Sequence, residues 1–462
     1  MTEHRFPYEK GDPSRRRLSA ISLGVAIALV LPLVASGNAS AAGSKHISMW
    51  FFSDPKQDPF LHSGINAWEK QNPGYHVAFD DTAPPTGTGG LEDKLTTAIA
   101  TGTLPDVIPV ISTDAAVFEK AHDLLPVTNA DAKLLGYSSL AAMSSTFAPG
   151  SLEAYEKAGV LYAVPWQSST FDLACNTVPF REAGINLTPY TTKSMTWSQF
   201  IKLGEKVIKA NPGHYYKNTS GQWNHNFFKL PVFFDDTWAM QTVTMFEAQA
   251  GGSVLPNAHG GGLTSPQSLV AFNEMKAISD SLGDPHIGPS NPTDLHIAFA
   301  DGQMTCDLAG NFLQALFLEP SSPVLKHFVI LKMPTIYPGK VGNVIWEWAF
   351  GVNSKTPSSL VHPIFSMLKS TIDRPAQEVF EGGIWGPQIR NWAALPGMNK
   401  YVDVKTIDAN TAGAQPIFET PAYPTIAHYL RGELEAIILG GAPVKSTLQS
   451  AASQVVSMLK AG

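Results

Sequence analysis

The chain has 462 residues, 44% apolar and 15% charged, with 24 Phe, 12 Tyr and 10 Trp, a composition that excludes disorder over most of its length. Single cores rarely grow beyond roughly 250 to 300 residues, so two are expected. A formal charge of -7 opposes any general attraction to nucleic acid or anionic lipid, and two cysteines exclude a disulfide framework or a four-cysteine zinc site.

Arg15, Arg16 and Arg17 precede an apolar run from Leu18 to Val34, and Ala39-Ser40-Ala41 follows among small residues. Charged, apolar and small-residue parts in that order read as a secretory signal over residues 1–41, cleaved rather than kept as an anchor. Ser14-Arg15-Arg16-Arg17-Leu18 also looks like a twin-arginine signal, with the following residues departing from that pattern. The mature protein is expected in the periplasm or an equivalent extracytoplasmic space. Beyond the leader the arginines are Arg181, Arg374, Arg390 and Arg431, a scarcity of bidentate clamps that favours a neutral ligand over an anion.

Ile47 to Phe52 is a β-prone run, and Phe60, Leu61, Ile65 and Trp68 recur at helical spacing until Asn72-Pro73-Gly74. Tyr75–Phe79 and Val107–Ile111 are further strands, with a helix over Leu91–Ala100 that Gly102 ends. Strands alternating with such helices predict βαβ units and a parallel sheet, whose ligands sit beyond the strand carboxyl ends. Patterns are broken from about Leu161 to Pro338, apart from a helix capped by Thr196 or Ser198 and reaching Ile208. Helices are predicted over Ser358–Lys369 and Pro375–Phe380. Two amphipathic helices close the chain, with Ile426, Leu430, Leu434 and Ile437 on one face of the first and Leu448, Ala452, Val455 and Leu459 on one face of the second.

Catalytic and metal signatures are weak. Thr86-Gly87-Thr88-Gly89-Gly90 lacks the ending of a nucleotide loop and reads as a turn. His214, His225, His259, His286 and His296 have no ligand-like spacing and read as surface histidines; no metal or cofactor is expected. Asp80-Asp81 and Asp235-Asp236 are adjacent acids, not a demonstrable facing pair. Trp166, Trp223, Trp238, Trp346, Trp348 and Trp385 stand beside Pro, Gly or polar residues. Each alone is more often core than platform, but as a set in an exported, low-charge chain they suggest faces for a carbohydrate or polyol.

Several landmarks then match one family in order: Met49-Trp50; Asn72-Pro73-Gly74-Tyr75-His76-Val77; Ala98 to Val107 ending Pro105-Asp106-Val107; Gly159 to Trp166; Asn176; Phe180 to Ile185; Thr196 to Phe200; and Phe299 to Met304, then Gly310 to Phe312. The chain resembles the extracellular solute-binding proteins of ABC importers, of the sugar type that includes maltose and glycerol-3-phosphate binders. Cys175 and Cys306 depart from it, standing where Tyr and Met are usual.

The resemblance implies a type II periplasmic-binding-protein fold: two α/β lobes, a multi-crossing hinge and a ligand cleft between them. Lobe 1 would hold residues 42–164 and 344–386, and lobe 2 residues 165–343 and 387–462, with crossings near Val164-Pro165, Gly342–Val344 and Trp385–Pro387. It implies a monomer that binds without catalysing and hands its ligand to permease subunits. Trp50, Asp81 and Thr113 would line one wall, Trp166, Ser168, Trp238 and Asn311 the other, with Trp346, Trp348 and Tyr423 near the hinge. Pro165, lacking an N–H, is expected to interrupt the ladder and turn Trp166 toward the cleft. The competing readings are a glycerophosphodiester binder of the same fold and a secreted carbohydrate-active enzyme. A Cys175–Cys306 bridge stays open: the compartment favours it, while neighbouring parallel strands seldom offer the geometry.

Overall fold

Strand β1 (Lys45–Phe52) buries Ile47, Met49 and Phe51, the period-2 pattern of a sheet lying on a core. The computed structural model describes residues 45–54, 57–83, 90–147, 151–215, 227–233, 236–257, 260–283, 292–310, 317, 320–372, 394, 396–398 and 403–461. The expected leader, Asn311, the helix at Pro375–Phe380 and the crossing at Trp385–Pro387 lie outside these residues. Among the described residues no helix is long and apolar enough to cross a membrane.

After β1 come α1 (Asp58–Gln71), β2 (Tyr75–Ala83), α2 (Leu91–Thr101), β3 (Val107–Ile111), α3 (Ala115–Ala121), α4 (Asn129–Leu134) and α5 (Leu140–Thr146). Gly102 ends α2 in the left-handed region at φ 68°, as its place just past the periodic run predicts. A short hairpin, β4 (Glu156–Lys157) and β5 (Val160–Leu161), leads into the long β6 (Ala163–Asn176). Then follow α6 (Thr177–Glu182), α7 (Trp197–Ala210), α8 (Asp236–Ala250), β7 (Pro256–Asn257), β8 (Gly260–Gly261), α9 (Pro266–Leu282), α10 (Pro292–Ala300), β9 (Cys306–Gly310), β10 (Phe328–Leu331) and β11 (Asn343–Val352). The chain closes with α11 (Ser358–Ile372), α12 (Val404–Thr411), β12 (Ala414–Pro416), α13 (Tyr423–Ile438) and α14 (Val444–Ala461). Thr196 caps α7 in a reciprocal pair with Gln199.

The described strands include an eight-stranded sheet ordered β10-β6-β11-β3-β1-β2, with β12 on β11 and β9 on β6. β1 is parallel to β2 and β3, but β11 is antiparallel to β3 and β6, and β9 and β10 are antiparallel to β6. The parallel sheet expected from the βαβ rhythm is therefore a mixed one, because β6 and β11 carry the chain in opposite directions and pair directly. The middle segment also holds two long helices that periodicity missed. In α8 the residues from Thr237 to Ala250 are all buried, so no polar face marks the helix.

Two cores result. One gathers Ile47, Met49, Phe51, Leu61, Ile65, Trp68, Val110, Trp166, Trp348, Phe350, Ile364 and Leu368. Gly64 lets α1 meet α11 closely, since a Cβ there would lie 2.7 Å from the Ser370 carbonyl oxygen. The other gathers Phe171, Leu173, Phe180, Trp197, Phe200, Phe246, Phe272, Ile330, Trp346, Leu430 and Leu448. Membership changes along β6 between Trp166 and Phe171 and along β11 between Trp346 and Trp348.

Cys175 and Cys306 form a disulfide. The geometric objection to it fails because β9 is antiparallel to β6, with the two residues directly opposite and their Cα atoms 4.1 Å apart. The bridge closes a loop spanning 131 residues, so its removal is expected to cost roughly 2 to 5 kcal/mol. Thiol titration of denatured, unreduced protein should find no free thiol, and the reduced protein should melt lower. Two titratable thiols would contradict the bridge.

Candidate functional site

Where β6 and β11 leave one core for the other, their buried residues turn polar: Gln167, Ser168, Ser169 and Thr170 on β6 and Glu347 on β11. The register sets Trp346 against Ser169, Glu347 against Ser168 and Trp348 against Gln167. Paired residues share a face and neighbours alternate, so Glu347 and Ser168 occupy one side and Trp346, Trp348, Gln167 and Ser169 the other. Trp348 pairs with Gln167, but Ala349 pairs with Pro165. Trp166 is thus the extra residue of a β-bulge, at the interruption that Pro165 predicts.

On the polar side, Ser168 Oγ donates to Glu347 Oε1 at 2.5 Å, with Ser151 Oγ 3.4 Å from Ser168 Oγ. Tyr155 OH donates to the Glu347 carbonyl at 2.8 Å, and the Glu347 N–H donates to Ser112 Oγ at 3.3 Å. Glu347 is 2% exposed, and its Oε2 has no hydrogen-bond partner among the described residues. Burial pushes its pKa well above the usual carboxylate range against the opposing pull of Ser151 and Ser168, and Glu419 and Glu153 add to the rise. Desolvation lifts Asp114 to about 6. Burial also lifts Glu419 to about 7, with Glu119 and Glu153 contributing.

The other side is aromatic. Phe171 lies 5.2 Å from Trp346 and 5.8 Å from Trp238 by ring centroids, and Trp238 lies 6.1 Å from Trp346. His296 stands 5.4 Å from Trp238. Trp348 packs 5.1 Å from Phe52 and 5.7 Å from Phe51. Gln167 shares this face and is buried, with an Oε1 that has no hydrogen-bond partner among the described residues.

The remaining predicted residues occupy separate neighbourhoods. Trp50 is half-buried under Lys94, whose Nζ is 3.9 Å from its ring centroid and 2.6 Å from Asp80. Asp80 rather than Asp81 therefore connects to Trp50; Asp81 Oδ2 lies 2.8 Å from His62 Nε2. Thr113 is buried in the turn Ser112–Asp114 at the carboxyl end of β3. Trp166 is 4% exposed and packs 5.7 Å from Phe350 in the first core. Tyr423 opens α13, 5.3 Å from Phe418.

Sequence reasoning missed Glu347, Ser151, Phe171, Gln167 and Lys94, while Ser112 stands at a strand end it had marked. A lone acid inside Val344-Ile345-Trp346-Glu347-Trp348-Ala349-Phe350 was a usable signal, because a buried strand seldom carries one without a partner. His296, read as a surface histidine, is fully buried instead, with Nδ1 2.7 Å from Asp307 Oδ2. Eleven positions separate the two residues, so spacing alone gave no clue.

The family model described as bacterial extracellular solute-binding protein matches residues 53–359. No match was found among curated proteins. Among solved structures, maltose-bound MalE3 of T. maritima is 17% identical, with a TM-score of 0.72 over 90% of this chain and 100% of that one. A chitin oligosaccharide binding protein is 18% identical, with a TM-score of 0.72 over 91% and 100%. UgpB of Mycobacterium tuberculosis, in complex with glycerophosphocholine, is 17% identical, with a TM-score of 0.71 over 90% and 99%. At such identities the likeness establishes the fold, that of type II periplasmic binding proteins.

The raised pKa of Glu347 has a consequence for stability. A folded-state value above that of an unfolded glutamate makes the proton stabilising; the contribution is complete below about pH 4 and is lost as pH rises toward the folded value. The parent is expected to melt lower at pH 8 than at pH 5. Glu347→Gln keeps an acceptor for Ser168 but never ionises, so it should lose less, by up to about 1.4 kcal/mol per pH unit. Equal losses in parent and variant would remove Glu347 from the account.

Proposed function

We propose that this chain, which belongs to the family of bacterial extracellular solute-binding proteins, captures a small neutral carbohydrate or polyol outside the cytoplasmic membrane. It delivers the ligand unchanged to the permease subunits of an ABC importer. The chain is exported by cleavage of residues 1–41 and acts as a monomer. Its lobes are residues 42–164 with 344–386 and residues 165–343 with 387–462, with Trp166 packing in the first core and Val344 and Trp346 in the second. Closure of one lobe on the other about β6 and β11 buries the ligand.

The observation that carries this reading is the aromatic face at the seam. Trp346 and Trp348 stand on one side of β11 where the cores exchange strands, and Trp238 joins Trp346 around Phe171. Indole faces suit the apolar C–H side of a pyranose, while Gln167 and Ser169 on the same side offer partners to hydroxyls. Among the described residues, Lys94 is paired with Asp80, and Arg431 with Asp236 and Glu435. That pairing favours a neutral ligand over a phosphodiester. Proteins of this fold in complex with maltose and with glycerophosphocholine frame the choice.

Native mass spectrometry of protein purified without denaturation should reveal a bound carbohydrate mass, and calorimetric titration should find it preferred over glycerophosphocholine. Trp346→Ala is expected to weaken that binding by about 2 to 4 kcal/mol, or roughly 30- to 1000-fold, and, because Trp346 is itself a core residue, to lower folding stability as well. Trp166→Ala should instead cost about 3 to 5 kcal/mol of folding stability with affinity retained. Tight binding of glycerophosphocholine alone, or turnover of the carbohydrate on long incubation, would overturn the proposal.

A further inference from the structure

Behind the aromatic face lies a pair of ionisable residues that carbohydrate capture does not require. His296 on α10 and Asp307 on β9 are both buried, at 0% and 2% exposure, with Nδ1 of the imidazole 2.7 Å from Asp307 Oδ2. Taken with Asp307 as the acceptor, the bond makes Nδ1 the donor and holds the ring plane. That ring lies against Trp238, centroids 5.4 Å apart and planes tilted by 36°. Burying such a pair is costly, and apolar residues of like volume would fill the space at least as stably.

Asp307 is itself firmly placed. It follows Cys306, which is bridged to Cys175, and it pairs with Ala174 of β6 in a register continuing to Phe171 against Gly310. Phe171 is the ring that touches both Trp238 and Trp346. A continuous mechanical path therefore runs from the disulfide through β9 to Asp307, then through a hydrogen bond to His296 and through ring contact to Trp238. The same strand pair carries Phe171, whose ring centroid is 5.8 Å from that of Trp238. The Thr242 hydroxyl donates to the Trp238 carbonyl at 3.0 Å, which ties the backbone of that turn.

We propose that His296, held by Asp307, is a positioning residue for Trp238: it sets the indole plane and so selects ligands presenting a flat C–H face, as a pyranose does. The inference rests on the reading that Trp238 touches the ligand. The disulfide, the dyad and the indole form one assembly that gives the second lobe a preorganised stacking surface, which lowers the ordering cost of binding. An indole held less firmly would accept ring and open-chain polyols more equally.

The test compares the full mature protein with Trp238→Ala, His296→Leu, Asp307→Leu and Asp307→Asn. Near-ultraviolet circular dichroism is recorded without ligand, and maltotriose, chitobiose and the open-chain polyol sorbitol are titrated as probes. His296→Leu and Asp307→Leu should lose part of the aromatic band that Trp238→Ala removes, and should weaken the tighter-binding sugar by about 3- to 10-fold. Asp307→Asn keeps an acceptor for Nδ1–H and should retain both the band and the affinity within about twofold. A merely structural dyad would lower melting temperature while leaving the band and affinity of the folded variants at parent values, and that result overturns the proposal. If His296→Leu does not fold, His296→Phe, a ring without the hydrogen bond, carries the same comparison. Parent-like affinity in Trp238→Ala would sink the ligand-contact reading alone, because the aromatic band still reports whether His296 sets the indole. A parent that binds sorbitol but neither sugar would overturn the selectivity.

Discussion

The hydrogen bond from Ser168 to Glu347 joins two strands at the level where each passes from one hydrophobic core to the other. Among the described residues, β6 and β11 are the strands that contribute to both cores, so displacement of one lobe against the other would twist and bend them. Their seam is suited to that. Apolar residues give way to Gln167, Ser168, Ser169 and Thr170, and the bulge at Trp166 breaks the regular ladder beside it. A bulge adds local twist at small cost, while the paired Ser168 and Glu347 keep the strands from slipping in register.

On either side of the seam buried hydrogen bonds tie neighbouring elements together. In the second lobe, Asn410 donates to Asp172 at 2.7 Å and to the Leu331 carbonyl, and accepts from the Met333 N–H. Asn343 donates to the Phe171 and Asn410 carbonyls. Burial lifts Asp172 to about 7 despite the Asn410 hydrogen bond. In the first lobe, Tyr155 ties β3 to β11 through the Val110 and Glu347 carbonyls. Hydrogen bonding within each core and a narrow polar seam between them suit the capture by closure proposed above.

Much of the first lobe was legible because its elements obey simple periods. Leu61, Ile65 and Trp68 mark a helix face, Gly102 a helix end, and Pro165 a break in a strand. The second lobe was less so: α8 is buried all round and shows no amphipathic stripe, and antiparallel pairing across the seam follows from tertiary connection rather than local sequence. The tryptophans that gather were visible as a set, but their division was not. Alternation along β11 puts Trp346 and Trp348 on one side and Glu347 on the other, and that could be read only once the strand and its register were known. His296 and Asp307 were hidden for the same reason, since a buried pair between a helix and a strand leaves no trace in spacing.

Closure about β6 and β11 is tested most directly by measuring the distance between the lobes in solution. Spin labels attached at Asn66→Cys on α1 and Ser453→Cys on α14, both exposed positions, report it by double electron–electron resonance. Saturation with the co-purified carbohydrate should replace the ligand-free distance distribution with a narrower, shifted one. Identical distributions with and without bound carbohydrate would contradict a hinge at the seam.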